Sequence, residues 1–270
     1  VLFIIPWNDQ WMVGTTDTEY LGDRAEPLAD RSDVQYIIDQ ANRVLQPRIN
    51  IDQVIGVFAG LRPLVANKKE SDTTKLSREH TVDRPVPGFV SLAGGKYTTY
   101  RVMAKDAVDM ATNDITKLVN ESVTSKLPII GADGFWALEQ QVDVIAAEYG
   151  LKSETVTHLL DRYGSEISEI MKLIQTDRKL AAPVIRELPY LKAELVYAVT
   201  HEGAMSIADV MERRTRIWFE ASDYGLASVN SVADVIAPHL GWKAAQKRAS
   251  IAEYKDLVKR AKISVANQHK

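Results

Sequence analysis

The chain has 270 residues, of which 46% are hydrophobic and 26% charged, with a formal net charge of −3. That fits one large globular domain or two ordinary ones, and it excludes wholesale disorder and a general polyanion-binding surface, so no nucleic acid is expected as a partner. There is no cysteine, which removes disulfides, thiolate metal sites, iron–sulfur clusters and cysteine nucleophiles, and no apolar run approaches the ~20 residues that span a bilayer.

The chain opens directly on Val1-Leu2-Phe3-Ile4-Ile5-Pro6-Trp7, with neither an initiator Met nor a signal-peptide layout, and so reads as a piece of a longer protein. Val1 to Ile5 is the apolar run of a strand buried on both faces. Asn8-Asp9 is turn chemistry, and Trp11 to Thr16 reads as a strand returning beside the first. Asp30 to Ser32 offers N-caps for a helix from about Asp33 to Leu45, with Val34, Ile37, Ile38, Ala41 and Leu45 on one face and Pro47 ending it. Val54 to Ala59 is predicted as another strand, closed by Gly60 and Pro63. Asn67 to Thr74 reads as a polar loop, Leu76 to Val82 as a strand, Pro85 to Gly88 as a turn and Phe89 to Ala93 as a short strand.

Gly94-Gly95-Lys96-Tyr97-Thr98-Thr99-Tyr100-Arg101 follows, and then a helix with Tyr100, Met103, Ala104, Ala107, Val108 and Ala111 at helical spacing, capped by Thr98 or Thr99. After about Asn120 the composition shifts. Ser122 to Gly134 reads as a linker. Beyond it the spacing predicts helices near 136–149, 153–162, 165–174, 191–202, 206–220, 228–239 and 243–266, punctuated by glycines at 150, 164, 203, 225 and 241. The division is residues 1–120 as an α/β part and 121–270 as an all-helical domain.

Strand, Gly-Gly and helix form a geometry in which backbone approaches a ligand closely, and unpaired first-turn N–H groups can hold an anion or an electron-rich carbonyl. Lys96 adds a full charge there. The competing reading is a tight turn with a solvated lysine. It is not a P-loop, because the glycine spacing fails and Tyr97 stands in the Ser/Thr place. Arg62, between Leu61 and Pro63 at the end of an apolar strand, needs a carboxylate or a bound anion; Asp17 is the candidate structural partner. Arg78 in Ser77-Arg78-Glu79-His80 reads on its own as an exposed strand charge. His80 has no second histidine near it, so no metal site is expected. Arg213, Arg214 and Arg216 read as a solvated or ion-paired helix face, and Trp136, Trp218 and Trp242 as helix-packing core. From Lys243 to Lys270 there are eight Lys or Arg against two Asp or Glu, with Ile251, Tyr254, Val258, Ala261 and Val265 on one face. Such a helix can lie on an anionic membrane, but packing on its own domain is the favoured reading.

Taken in order, five motifs resemble the C-terminal half of the FAD-dependent, aerobic, quinone-linked glycerol-3-phosphate dehydrogenases. They are Phe3-Ile4-Ile5-Pro6-Trp7, Gly14-Thr15-Thr16-Asp17-Thr18 with its continuation to Asp23, Ala59 to Leu64, Ser77 to His80, and Gly94 to Arg101. The resemblance is dense to about residue 115 and weaker beyond, at Glu194 to Tyr197 and His201-Glu202. It implies an α+β fold: a partial mixed or antiparallel sheet with helices from an oxidoreductase of the D-amino-acid-oxidase type, then an all-α C-terminal domain. It also implies flavin contacts from Gly94, Gly95, Lys96, Tyr97 and Thr98, and substrate contacts from Arg62, Arg78 and Lys96 to glycerol 3-phosphate. Tyr97 departs from the commoner Leu of that motif. His80 is the candidate proton acceptor. The pyrophosphate fingerprint would lie in a missing N-terminal half, so this chain alone is expected neither to retain FAD nor to turn over. The implied partners are that half, a quinone, a second copy in a homodimer and a peripheral membrane contact, with a cytoplasmic location reaching the inner face of the plasma membrane. Two alternatives stay open: a helical interaction or membrane-docking module without catalysis, and a glycerophosphate oxidase using oxygen. An apolar face is expected to be exposed around Phe3, Ile5 and the Gly94–Thr98 turn.

Overall fold

The computed structural model describes residues 2–7, 10–62, 79–113, 115 and 119–266. The chain divides into two units. One contains residues up to Thr16, Ala25–Ala59 and Ile129–Lys270; the other contains Asp17–Arg24 and Gly60–Pro128.

The first unit is helical. Its one sheet among the described residues is the antiparallel pair β1 (Phe3–Trp7) and β2 (Gln10–Gly14), in register from Phe3 opposite Gly14 to Trp7 opposite Gln10. The expectation of a strand buried on both faces is corrected here. A two-stranded ribbon covers little of itself, and Ile5 stays 40% exposed while Phe3 is half-buried, its ring lying over Gly14. Helix α1 (Arg31–Ala41) starts where Asp30 accepts the Asp33 N–H, and buries Val34, Ile38 and Ala41. Val54 to Ala59 forms no strand. It runs past helix α8 (Ile217–Glu220), with Gly56 against the Phe219 backbone and Phe58 edge-on to the Phe219 ring at 5.3 Å.

Helices α3 (Phe135–Glu139), α4 (Val142–Tyr149), α5 (Ser153–Tyr163), α6 (Ile167–Thr176) and α7 (Lys192–Thr200) follow. The single helix expected over 136–149 breaks between Glu139 and Val142. Trp136, expected in the core, is 75% exposed, while its neighbour Phe135 takes the packed position. The α5–α6 corner depends on glycine: Gly164 has φ 55, and a Cβ on it would run into the Gly131 carbonyl, which accepts the Ser165 N–H at 2.9 Å. The helix expected over 206–220 splits into a π-helical turn (Asp209–Arg214) and α8. Thr215 causes the break, since its N–H and hydroxyl both bond the Val210 carbonyl, five residues back. Helices α9 (Val229–Ile236) and α10 (Ala244–Ala266) complete the unit.

Two apolar clusters hold this unit together. One centres on Val156, Leu159, Ile170 and Ile174; the other on Leu195, Ile207, Met211, Ile217, Trp218, Val232, Ile236 and Tyr254. The apolar stripe of α10 is spent here, as Tyr254, Val258 and Ala261 are buried. N-terminal segments are tied to the same helices: Arg260 pairs with Glu26 at 2.5 Å, Ser264 donates to the Ala29 carbonyl, and Arg216 stacks over the Trp7 ring at 4.3 Å.

The second unit is smaller. Strands β3 (His80–Val86) and β4 (Phe89–Gly94) form an antiparallel hairpin, His80 opposite Gly94 and Val86 opposite Phe89. The register is irregular between Asp83 and Val86, where Pro85 has no N–H to give the ladder. The expected loop at Asn67 to Thr74 and the start of the strand expected from Leu76 lie outside the described residues. Helix α2 (Tyr100–Thr112) packs on the hairpin, and the Arg84 guanidinium donates to the Met110 carbonyl near its C-terminal end. Among the described residues the fold is thus helix-rich, with two small antiparallel ribbons and no parallel strand pair.

Candidate active site

The residues with chemistry to offer lie in the smaller unit. β4 ends in Gly94 (φ 75) and Gly95 (φ 84). Lys96 then leads into a 3₁₀ turn over Tyr97–Thr99, which runs straight into α2. The φ of Gly95 disfavours a side chain, and a Cβ there would sit 2.6 Å from the Met103 sulfur and 3.0 Å from the His80 Cβ, so any larger residue would have to push the Met103 side chain aside. Neither Lys96 nor Thr99 caps a first-turn N–H with its side chain. The Thr99 hydroxyl instead donates to the Lys96 carbonyl at 2.9 Å. The start of the helix therefore presents backbone N–H groups and partial positive charge directly after Lys96. Lys96 and Thr98 are exposed. Tyr97 is 89% exposed and stacks on Tyr100, ring centres 5.8 Å apart.

His80 begins β3, opposite Gly94. Its Nε2 lies 2.8 Å from Asp106 Oδ2 on α2, and its side chain is 20% exposed. Lys105 bonds Asp109 at 2.6 Å and lies 3.9 Å from the other Asp106 oxygen. The Asp109 hydrogen bond, more than any other influence, raises the Lys105 pKa, so it stays cationic. Arg62 is paired with Asp17 at 2.6 Å, as the structural reading expected, but at an exposed position and not at the end of a buried strand. Arg78 lies outside the described residues. Within this unit the structure brings His80 together with Gly94 and Gly95, the turn that carries Lys96. Asp106 was not picked out in the sequence. It lies three residues after Met103 on α2, so it shares the helix face that Met103 turns to Gly95.

The helical unit holds a second polar cluster of different character. Glu194 is fully buried and accepts from the Tyr163 hydroxyl and His158 Nε2 at 3.0 Å each and from the Leu191 N–H at 2.6 Å. Arg162 Nε lies 3.7 Å away. Burial, and then the Glu194 charge, push the Tyr163 hydroxyl far above the ordinary phenol range, so it serves only as a donor. His201 stacks flat on Tyr197 at 4.4 Å. Of the three arginines, Arg213 pairs with Asp209, Arg214 donates to the Glu202 carbonyl, and Arg216 covers Trp7. Among the described residues no group of three or more His, Cys, Asp or Glu is placed to hold a metal ion, and no helix is long and apolar enough to cross a membrane.

Residues 122–247 match the family model described as the C-terminal domain of alpha-glycerophosphate oxidase. The chain is 44% identical over 266 residues to glycerol-3-phosphate dehydrogenase 2 of Mycobacterium bovis, covering 98% of this chain and 45% of that protein. It is 45% identical, over the same shares, to glycerol-3-phosphate dehydrogenase of Mycobacterium leprae. The mitochondrial glycerol-3-phosphate dehydrogenase of Mus musculus is 30% identical over 93% of this chain and 35% of its own length. The chain spans less than half the length of these curated relatives. Its resemblance to the C-terminal half of such dehydrogenases, first visible in five motifs, extends over nearly every residue.

Proposed function

We propose that this chain is the C-terminal part of an FAD-dependent enzyme that oxidises sn-glycerol 3-phosphate to dihydroxyacetone phosphate. Residues 1–120 contribute to its flavin and substrate region, and 121–270 form its helical domain. The observation that carries the reading is the similarity of 98% of the chain to proteins named glycerol-3-phosphate dehydrogenase. The fit to a flavin is supported by an uncapped helix start behind two glycines, which suits an electron-rich carbonyl. FAD, when bound, supplies the two-electron acceptor for hydride from C2 of the substrate.

The chain's own residues supply charge and a proton site. Gly94, Gly95, Lys96, Tyr97 and Thr98 form the flavin-facing turn, with backbone N–H groups stabilising negative charge there. Arg62, Arg78 and Lys96 bind the phosphate monoester, whose anionic oxygens suit two planar guanidinium groups and one ammonium point charge. Asp17 holds the Arg62 guanidinium in place meanwhile. His80 takes the proton of the C2 hydroxyl as that oxygen becomes a carbonyl. Onward delivery to a quinone, a homodimer and a peripheral site at the inner face of the plasma membrane belong to the same reading.

The test is an assay of the full-length protein with glycerol 3-phosphate and a dye acceptor. With a two-electron dye, reduced dye and dihydroxyacetone phosphate are expected in equal amounts, and the absence of both would overturn the assignment. Hydrogen peroxide made at the same rate without dye would point to an oxidase. Arg62→Ala should raise KM for glycerol 3-phosphate by about tenfold or more, the loss of one charge-assisted contact; an unchanged KM removes Arg62 from the phosphate site.

A further inference from the structure

We infer that Asp106 is a positioning residue for His80, fixing its tautomer and aim so that Nδ1 is the nitrogen presented as the base; this rests on the reading of His80 as proton acceptor. A carboxylate only accepts hydrogen bonds. With Asp106 Oδ2 2.8 Å from His80 Nε2, the neutral imidazole must carry its hydrogen on Nε2, and the lone pair is left on Nδ1. The contact also joins elements. His80 opens β3 and faces Gly94, Asp106 lies on α2, and the His80 Cβ and Met103 sulfur crowd the same side of Gly95. Strand, Gly-Gly turn and helix are thus locked at one point, and the ring cannot swing without breaking the Asp106 bond. Lys105 stands on the far side of the same carboxylate, its ammonium 3.9 Å from the second Asp106 oxygen.

The consequence for the step is a matched pair of charges. The hydroxyl O–H bond breaks and its electron pair forms the C=O bond. Bound FAD would supply the acceptor for the hydride from C2, and the proton goes to Nδ1. The resulting imidazolium keeps its Nε2–H on Asp106, so the new positive charge is made next to a negative one.

Asp106→Asn is the deciding variant, because it keeps the shape and can offer an N–H to Nε2, favouring the opposite tautomer. In the full-length enzyme it should lower kcat on the order of tenfold or more, with KM for glycerol 3-phosphate little changed. In a His80→Ala background the same substitution should cost nothing further. Nitrogen-15 chemical shifts of His80 should report an unprotonated Nδ1 in the parent chain and a protonated one in Asp106→Asn; this readout needs no turnover and no flavin. If His80→Ala slows turnover but Asp106→Asn does not, the positioning role is wrong and the base assignment stands. An equal loss from Asp106→Asn with and without His80 means Asp106 acts structurally. If His80→Ala leaves kcat intact, the base assignment fails and this inference with it.

Discussion

The two units differ in whether they bury a matched charge. The helical unit does: Glu194 has no exposed surface and three hydrogen-bond donors. In the hairpin unit, charge is displayed: Arg62, Asp17, Lys105 and Asp106 each keep more than a third of their side chains in solvent. The same contrast holds for apolar groups. The helical unit encloses two clusters of fully buried side chains, while α2 in the hairpin unit buries none completely and Tyr97, Tyr100 and Phe89 stand exposed. One region is built to be stable and the other to present groups. The candidate chemistry sits where folding energy is least invested, as ligand-binding elements commonly do.

The sharpest test of this division is to remove one carboxylate from each unit. Glu194→Ala leaves Arg162, His158 and Tyr163 facing a buried hole and should destabilise the chain by about 3–5 kcal/mol. Asp17→Ala breaks an exposed pair and should cost no more than about 1 kcal/mol. Urea denaturation of both variants measures the difference, and similar losses would mean the helical unit is not the stability reservoir. Within that unit, tryptophan gives a second comparison. Trp218 is 4% exposed and meets Tyr224 and Tyr254 edge-on, so Trp218→Ala should cost about 3–5 kcal/mol. Trp136→Ala should stay within about 0.5 kcal/mol, because its ring is in solvent. Comparable shifts in melting temperature would contradict its exposed position.

Sequence periodicity read the helical unit well, because packing there follows a 3.6-residue repeat with glycine stops. α5, α6, α7, α9 and α10 all lie within two or three residues of their expected bounds. It failed where a tertiary contact overrode local pattern. Val54 to Ala59 has strand composition but packs on Phe219; Thr215 interrupts a periodic stretch through its side-chain hydrogen bonds; Trp136 and Phe135 compete for one inward position. The candidate site was legible as residue types around Gly94 to Arg101, and Asp17 as the partner of Arg62 was foreseen. The His80–Asp106 pair was not, since its members are 26 residues apart on different elements, and no spacing rule connects a strand residue to a later helix face.

Two further carboxylates in the helical unit should respond to pH with opposite slopes. Burial works against a charged Asp209, but hydrogen bonds from the Met205 and Ser206 N–H groups and the Ser206 side chain, with the Arg213 charge, outweigh it and hold its pKa below the ordinary 3.8. The folded state therefore binds the proton less readily than the unfolded one. Its stabilisation is complete above 3.8 and disappears as pH falls through the lower folded value. Asp209→Ala should cost about 1 kcal/mol at neutral pH, the worth of a helix-end acceptor, and the cost should shrink in acid. Glu202 is the reverse: burial dominates, Arg162 and Arg214 offset it only in part, and its pKa lies above the ordinary 4.5. Its ionisation penalises the folded state as pH rises past 4.5, so Glu202→Gln should gain on the parent from acid to neutral pH, by less than about 1 kcal/mol. Thermal melts of both variants across that range should give difference curves of opposite sign. Parallel curves would mean that the two carboxylates share one environment.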